Sequence, residues 1–591
     1  MYKFYTIYQY TTGYTIKYFV VNLVFKFRLK LMSKQKKICI TILFLPIFIG
    51  LLVSCSKDDV IEEIEIIQEI EEEEIEEENF VVTDFSDADP NKIVTINTGA
   101  SEGLFYNFWS TRPMINQTRF NSANFTNSLQ SIKRYVKSYN LVRMMGGRND
   151  NLNTFYKGVD GSGKIITDFS GLITSLRNFR TTGFKPRIVL DNVPWEMSLP
   201  RVEDTYGNSK PPSDYGIWRQ YVNAYLKALV DAFGMSEVKT WRFRIATEPN
   251  YTPHHWRGTK DDFFKHYDIT VDEILKVIPD AIVGPGNLLT ERVATYTTEH
   301  IDHCANGTNY ATGEKGTKMD FFALSYYEKF DKKEVRFEDV VKPYRDKLNS
   351  YSQFRNIPFD IQEFGILRGD NGIRGLSLSD GTEMGASWYA TIADLSFQYG
   401  VTEIYDWGQE LENSDLPTGR RNVTEMFLKL EGGSRMVASG SFPGFSGVIP
   451  VSKDGKIYLF LYNHNTTRNS TNSKTFYPKL EGSLVSSTTK WRINEWTIDK
   501  NNSILMNQLY SDVRKAGVGE KTNGRIYGNR LSDRFEDGWK NVFNGNLTKY
   551  QNLSKLSQTV KDSLVGTDTD NLMLKVDLAP HSVKLIEIIP E

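Results

Sequence analysis

The chain has 591 residues and an almost balanced charge, with 71 Lys and Arg against 73 Asp and Glu. This length fits one large domain with a smaller module, and a 40% hydrophobic fraction is typical of a globular protein. The charge is unevenly placed, because residues 1–56 carry +8, residues 57–78 carry −12, and the rest carries +2. A nearly neutral body gives no electrostatic basis for binding nucleic acid.

The first 55 residues resemble the signal of a bacterial lipoprotein. Three lysines precede an apolar run that ends in the lipobox-like sequence Leu52-Val53-Ser54-Cys55. The resemblance implies lipidation of Cys55 and association with the outer membrane at the cell surface, and residues 1–31 read as an extension upstream of the true start. A plain signal anchor is the alternative, although the apolar run is short for a membrane-spanning helix.

Residues 56–90 are interpreted as an acidic tether between the lipid and the folded body. Acidic residues are densest between residues 62 and 78. Like charges at this density repel one another and favour an extended chain. Their position after the lipidated cysteine resembles the surface-export signals of Bacteroidetes lipoproteins. A short acidic helix is the alternative.

From residue 91 to residue 425, short apolar segments alternate with amphipathic ones. Apolar side chains recur every four residues in 217–229 and 263–275, which predicts helices. The candidate strands are residues 93–97 or 105–109, 141–145, 187–191, 240–246, 281–284, 321–326, 359–362 and 403–407. Eight such units predict an α/β fold, a (β/α)8 TIM barrel. A doubly wound open sheet is the alternative, but no glycine-rich loop follows the first strand.

The sequence changes in character after residue 425. Apolar, aromatic-rich segments at residues 456–462, 491–497, 572–578 and 582–589 are separated by turns rich in Asn, Ser and Thr. Residues 426–591 are therefore predicted to form β-sandwich structure. We expect one strand from before the barrel to join it.

Two glutamates carry the candidate chemistry. Glu248 and Glu363 each end a short apolar segment, and each is followed by Pro249 or by Phe364-Gly365. Proline disfavours helix at the residue before it, so we expect Glu248 to lie in extended backbone at a strand end. Burying a lone carboxylate costs several kcal/mol unless it is paired. Two carboxyls about 5–5.5 Å apart across a barrel mouth would have the geometry of a retaining glycosidase.

The segments Glu248-Pro249-Asn250 and Gln362-Glu363-Phe364-Gly365 resemble the retaining clan A glycoside hydrolases. The resemblance implies that Glu248 is the acid/base and Glu363 the nucleophile. Residues 105–110, 142–148 and 241–250 resemble glycoside hydrolase family 86, the β-agarases and β-porphyranases. This resemblance spans residues 91–591 and implies an endo-acting enzyme that cleaves β-1,4 linkages in red-algal galactans, with no cofactor.

Further residues at the predicted strand ends are candidates for binding substrate. Thr247 stands where most clan members have an asparagine that binds the sugar 2-OH, and Arg143 is placed to pair with Glu363 and lower its pKa. One of two neighbouring tyrosines could hydrogen-bond the nucleophile, and the clan resemblance makes Trp407 a stacking floor. The candidates are Arg143, Asn192, Trp195, Thr247, Asn250, Asn287, Tyr326, Tyr327 and Trp407. Each could instead serve packing or an ordinary ion pair.

A cationic loop follows the acid/base candidate. His254, His255 and Arg257 could contact a substrate sulfate, as a porphyran-type galactan would require, or form a plain loop. A metal site is not predicted, because no third ligand lies at a useful spacing and no cysteine cluster is present. We expect a monomer.

Two other functions remain open. One is another clan A β-glycosidase, such as a xylosidase or glucuronidase, against which Thr247 and residues 105–110 argue. The other is a non-catalytic glycan-binding lipoprotein of the cell surface, which would have no need for a barrel with both glutamates.

Overall fold

The computed structural model describes residues 81–591 except for 83–84, 86–87, 116–120, 122–131, 148–154, 205, 291–293, 330–336, 369–377, 407–413, 415, 486–489, 522–530 and 568–569. The signal region with Cys55 and the acidic tract up to residue 78 lie outside the described residues, so the lipid anchor and the tether stay predictions. Among the described helices, none is long and apolar enough to cross a membrane.

The strands and helices follow one another in chain order. The strands are β1 (Val81–Val82), β2 (Ile93–Leu104), β3 (Thr111–Ile115), β4 (Ser138–Leu141), β5 (Tyr156–Val159), β6 (Ile165–Thr167), β7 (Lys185–Leu190), β8 (Glu203–Asp204), β9 (Gly207–Asn208), β10 (Arg242–Ile245), β11 (Ile282–Pro285), β12 (Leu288–Leu289), β13 (Phe322–Lys329), β14 (Phe359–Arg368), β15 (Glu403–Asp406), β16 (Ser434–Gly440), β17 (Phe445–Lys453), β18 (Lys456–His464), β19 (Lys474–Glu481), β20 (Lys490–Ile498), β21 (Gln558–Gly566), β22 (Asn571–Met573), β23 (Val576–Leu578) and β24 (Ser582–Pro590). The α-helices are α1 (Ser170–Thr181), α2 (Tyr215–Phe233), α3 (Met235–Val238), α4 (Lys260–Val277), α5 (Thr297–Asn306), α6 (Phe337–Asn349), α7 (Glu383–Tyr399), α8 (Gly419–Leu430), α9 (Met506–Lys515), α10 (Leu531–Arg534), α11 (Trp539–Gly545) and α12 (Leu547–Ser554).

Parallel strands from β3 to β15 form the framework of the larger half. One sheet has the order β11-β10-β7-β4-β3 and a second has the order β12-β13-β14-β15. At the far edges, the backbone N–H of Ile404 in β15 donates to the carbonyl of Phe108, just before β3, over 2.7 Å. This is an α/β fold with a curled parallel sheet, which is consistent with the predicted (β/α)8 arrangement.

The first parallel strand differs from the prediction, which put it at residues 93–97 or 105–109. The structure has it at Thr111–Ile115. The segment before it is instead aromatic core, because the ring of Phe105 lies 4.9 Å from that of Phe397 in α7 and 5.6 Å from that of Phe427 in α8. Large buried rings there pack against helices instead of forming a ladder.

The predicted helices at residues 217–229 and 263–275 are present as α2 and α4. The side chain of Asp214 caps α2 by accepting hydrogen bonds from two backbone N–H groups. Thr259 and Asp262 form a capping box at the start of α4. The two helices pack against each other, because the indole N–H of Trp218 donates to the hydroxyl of Thr270 over 2.9 Å, and their buried faces belong to the main core.

The C-terminal part is built on one large, mostly antiparallel sheet with the order β1-β21-β20-β24-β18-β17-β16-β2-β19-β22. Strand β2 comes from before the parallel strands, as expected, although it falls inside the predicted barrel range of 91–425. One sheet face packs on α7, with Phe460 and Leu585 in the main core. The other face, with Leu459 and Ile586, has a core of its own.

Helices α9 to α12 interrupt this sheet between β20 and β21, where only β-structure was predicted. They enclose a separate small core that includes Leu509, Val513 and Tyr550. The side-chain amide of Asn422 in α8 donates to the carbonyls of Ser503 and Ser554 over 2.7 and 2.8 Å. These bonds fix both ends of the helical insertion to the larger half.

Candidate active site

Glu248 lies in a tight turn just beyond β10. The strand ends at Ile245, and Glu248 has a φ of 42°, so its backbone is left-handed and not extended as predicted. Pro249 disfavours the right-handed helical region for Glu248, and Glu248 adopts the left-handed region in this turn. Such a conformation costs a non-glycine residue about 1–2 kcal/mol. Strain of this kind is concentrated at functional sites.

Glu363 lies within β14, which continues to Arg368 and does not stop after the glutamate as predicted. The register with β13 slips here, because Leu324 pairs with Ile361 while Ser325 pairs with Glu363. The extra residue is a β-bulge, which re-aims the next side chain. Gln362 and Glu363 consequently both face the inside of the curled sheet, although successive strand residues normally face opposite sides.

Strand β13 completes the surroundings of both glutamates. The hydroxyl of Tyr327 donates to Oε2 of Glu363 over 2.8 Å, and Ser325 interacts with Glu248 in a way that lowers its pKa. Tyr326, between them, faces outward and packs its ring against Phe337 at 4.9 Å. Of the two candidate tyrosines, the structure therefore places Tyr327 on the nucleophile candidate and Tyr326 in the core.

The two carboxyls have unequal surroundings. Both are buried, with 9% of Glu248 and 7% of Glu363 exposed. Burial and the negative charge of Glu363 together raise the pKa of Glu248 to about 8, against smaller opposing effects of Ser325 and Arg244. Glu248 is therefore protonated at neutral pH. A buried acid beside a second carboxylate is the arrangement that a general acid requires.

Arg244 is a buried cation of the site, and the sequence analysis missed it. Its guanidinium is buried and interacts electrostatically with Asp191, then Glu363, and more weakly with Glu248. One of its NH groups donates to Gln362 over 3.1 Å. The signal was present in the sequence, because Arg242 and Arg244 alternate in β10 and so share its inner face.

Arg143 was predicted to pair with Glu363, and that pairing stays a prediction. Its backbone N–H donates to Oδ1 of Asp191 over 2.6 Å, and its φ is 62°. The same Asp191 accepts a hydrogen bond from Thr247. Arg143 is thus held at the edge of the site by the residue that also holds Thr247.

Thr247 is held on both sides by protein groups. Its hydroxyl accepts from a guanidinium NH of Arg244 over 2.8 Å and donates to Oδ2 of Asp191 over 2.7 Å. A hydroxyl has a single proton, so Thr247 has none left to donate to a sugar. It fixes Arg244 relative to Asp191, and only its remaining lone pair could accept from substrate.

The three candidate asparagines brace loops. The amide of Asn250 donates to the carbonyls of Leu289 and Thr295 and to the hydroxyl of Thr297, and its oxygen accepts from the N–H of Leu289. Its hydrogen-bonding capacity is therefore used within the protein.

The other two asparagines, Asn192 and Asn287, also donate to groups of the protein. Asn192 donates to the carbonyls of Tyr206 and Asn208 over 3.0 Å each. Asn287 is fully buried and donates to the hydroxyl of Ser325 over 2.7 Å. Asn287 thus positions Ser325, whose interaction with Glu248 lowers the pKa of that carboxyl.

The loop after Glu248 has one member at the site. Nε2 of His255 lies 3.6 Å from Oε2 of Glu248, and its ring stacks on Tyr206 at 4.2 Å. His254 and Arg257 instead hold Asp204, at 3.2 and 2.6 Å. Asp204, in the β8–β9 hairpin, is thus the acidic partner of two residues of the predicted cationic loop. Because Asp204 is distant from them in sequence, this pairing could not be predicted.

The two tryptophan candidates have different outcomes. Trp195 is buried in a short 3-10 helix, and the guanidinium of Arg201 lies over its ring at 4.0 Å. Trp407 lies outside the described residues, so its role as a stacking floor stays a prediction. Within the described part of the chain, no group of three or more His, Cys, Asp or Glu side chains is placed to hold a metal ion.

Residues 92–366 match the family model described as Glycosyl hydrolases family 39. An α-1,4-L-rhamnosidase of Formosa agariphila is 26% identical over 287 residues, which cover 46% of this chain and 57% of that protein. A β-xylosidase of Caldicellulosiruptor saccharolyticus is 24% identical over 238 residues, 40% of this chain and 46% of that protein. The chain spans about half the length of the curated relatives it matches.

Solved structures show the same fold. The GH39 enzyme from Xanthomonas axonopodis pv. citri has a TM-score of 0.63 at 13% identity and covers 85% of this chain and 98% of its own. A monomeric β-xylosidase from Caulobacter crescentus has a TM-score of 0.60 at 15% identity and covers 84% and 99%.

These findings correct the resemblance to family 86, which is wrong. The loose matches at residues 105–110, 142–148 and 241–250 fall inside the segment that matches family 39, and agarase or porphyranase specificity has no support. Glu248 and Glu363 lie in the same segment. The chain is therefore similar to glycoside hydrolases of family 39 rather than of family 86.

Proposed function

We propose that the chain is a retaining glycoside hydrolase of family 39 that acts on neutral pyranosides, with an α-L-rhamnoside as the first substrate to test. The observation that carries this proposal is the unequal pair, Glu248 with its pKa raised to about 8 and Glu363 beside Arg244 and Tyr327. The two parallel sheets would then be the halves of one (β/α)8 barrel, with the pair at the carboxyl ends of its strands.

The first step transfers the glycosyl group to the enzyme. An oxygen of Glu363 attacks the anomeric carbon, and the bond from that carbon to the glycosidic oxygen breaks. Glu248 gives its proton to the departing oxygen, so the leaving group departs as a neutral alcohol. Arg244 and Tyr327 hold the carboxylate of Glu363 in place for the attack.

The second step releases the sugar. Esterification of Glu363 removes the negative charge that raised the pKa of Glu248, so Glu248 ionises more readily and becomes available as the base. It takes a proton from water, whose oxygen attacks the anomeric carbon and displaces Glu363. Two inversions return the original anomeric configuration.

Among the described residues, the cations near the site whose side-chain contacts are given are engaged by protein groups, which favours a neutral sugar over a uronic acid. Arg257 and His254 are held by Asp204, and Arg244 is held by Gln362 and Thr247. A uronate would need a cation for its carboxylate, and burying that carboxylate unpaired is costly. The rhamnosidase and xylosidase activities named for the relatives both act on neutral sugars and fit this charge distribution.

The test compares 4-nitrophenyl glycosides of L-rhamnose, D-xylose and a uronic acid, with the anomer of the first product determined by NMR. We expect hydrolysis of a neutral glycoside with retention. Glu363→Ala should be inactive, and azide should yield a glycosyl azide of inverted configuration. Glu248→Ala with azide should yield the glycosyl azide of retained configuration. The exposed-site control Glu314→Gln should behave as wild type. Cleavage of the uronide alone, or an inverted first product, would refute the proposal.

A further inference from the structure

A second pocket lies between the helices of the larger half and the C-terminal sheet. Its volume is about 200 Å³, and none of its lining residues belongs to the candidate active site. Helices α6 and α7 form one side, and β17, β18 and the turn before β17 form the other. The lining residues that the argument uses are Glu338, Asp394, Phe442, Phe445, Gly447 and Tyr462.

Carboxylate oxygens dominate the polar lining. Asp394 is partly buried in α7, and Oδ2 of its carboxylate accepts from the hydroxyl of Tyr462 over 2.6 Å. Glu338 of α6 contributes a second carboxylate. The hydroxyls at the wall donate elsewhere, because Thr391 bonds to the carbonyl of Ser387 and Ser446 to that of Pro443. A ligand would therefore meet acceptors and would have to supply the donors.

The backbone at Gly447 leaves room for these groups. A Cβ there would lie 2.5 Å from the hydroxyl oxygen of Tyr462 and 3.0 Å from Oδ2 of Asp394. A side chain at this position would thus break the Tyr462–Asp394 bond. The remaining walls include the rings of Phe442 and Phe445, which provide apolar faces beside the carboxylates.

We propose that this pocket is an accessory binding site for one neutral sugar ring. The volume is below the roughly 300–1,000 Å³ of pockets for drug-sized ligands and suits a single ring. Adjacent sugar hydroxyls donate to carboxylates, while the C–H faces of the ring pack on phenyl groups. The site goes beyond the proposed hydrolysis and does not depend on it.

Charged ligands fit less well. The described residues contain no group of three or more His, Cys, Asp or Glu side chains that could hold a metal ion here. Burial raises the pKa of Asp394 to about 6, partly offset by Tyr462 and Arg435, so its carboxyl carries less negative charge in mildly acid conditions. A hydroxyl donor tolerates this change, whereas an ammonium ion would lose its partner.

The experiment uses the full chain with L-rhamnose and D-xylose as probes and methylammonium as the charged alternative. Calorimetric titration is done on wild type, Asp394→Asn, Phe445→Ala and the exposed-site control Asp280→Asn, and crystals are soaked with each sugar. We expect one sugar to occupy the pocket. Its affinity should fall about tenfold or more in both pocket variants, because each removes a contact to the ring. The control should match wild type.

Hydrolysis of a 4-nitrophenyl glycoside is measured in the same samples and should be unchanged by the pocket variants. This separates failure of the accessory site from failure of the proposed function. If Asp394→Asn does not fold, the affinity of Phe445→Ala and the sugar density in the soaked crystals test the accessory site. Three outcomes would overturn the proposal. The protein could bind methylammonium and neither sugar, the soaked crystals could show sugar only near Glu248 and Glu363, or a folded pocket variant could bind the sugar as tightly as wild type.

Discussion

Replacing Glu248 with glutamine should stabilise the protein at alkaline pH while abolishing its acid function. The folded-state pKa of Glu248 is raised from 4.5 to about 8, mainly by burial and then by Glu363. A raised pKa means that stability present below pH 4.5 is lost as the pH rises toward 8. Glutamine keeps the shape of a protonated glutamate and does not ionise, so the variant escapes this loss.

The free energy of unfolding of the wild type falls by about 1.4 kcal/mol for each pH unit between the two pKa values. The loss is below about 1 kcal/mol at pH 5, about 3 kcal/mol at pH 7 and about 4–5 kcal/mol at pH 9. An unfolding entropy of about 2.1 cal/mol/K per residue turns the last value into a Tm increase of about 3–4 °C for a chain of 591 residues.

The assay is calorimetric unfolding of wild type, Glu248→Gln and Glu314→Gln at pH 5, 7 and 9. The advantage of Glu248→Gln over wild type should grow with pH, while the exposed control shows no such trend. A glutamine variant that is equally or less stable than wild type at pH 9 would refute the idea that Glu248 is a buried, protonated acid.

Three further changes test the same pair from other sides. Tyr327→Phe removes the hydrogen bond to Glu363 and should lower kcat/KM about tenfold in steady-state assays. The control Tyr326→Phe should have little effect. Equal losses of activity in the two variants would contradict the assignment of these tyrosines to opposite faces of the strand. Ser325→Ala removes an interaction that lowers the pKa of Glu248, so the alkaline limb of the rate profile should move to higher pH by about 0.7 pH units. Glu363→Gln removes a negative charge, so a ¹³C-carboxyl NMR titration should show a lower pKa for Glu248, and an unchanged value would mean that the two carboxyls do not interact.

Much of the parallel framework could be predicted, because buried runs and four-residue apolar spacing depend only on neighbouring residues. The first strand could not, since Phe105 and Trp109 suit a strand as well as the aromatic core that they join. The helices at Met506–Lys515 and Leu547–Ser554 were missed for a related reason. They lie among Asn- and Ser-rich segments, and that composition is typical of loops between strands.

In the candidate site, the two glutamates were visible because each follows an apolar segment and precedes a helix-breaking residue. Their partners were harder to predict. Asp204 is about 50 residues from His254 and Arg257, and pairing over that distance depends on the fold. The bulge at Glu363 depends on the register with β13, which sequence spacing does not determine.

Beneath the site, charged pairs fill the inner face of the curled sheet. Arg187 pairs with Glu403, and Arg242 pairs with Asp360 over 2.7 Å, two residues before Arg244 on the same strand. Buried pairs of this kind add little net stability, because desolvation offsets their attraction. Beyond them, Arg244 interacts more strongly with Glu363 than with Glu248. Burial and the charge of Glu363 raise the pKa of Glu248, so two chemically identical carboxyls have unequal surroundings, which is what a general acid beside a second carboxyl requires.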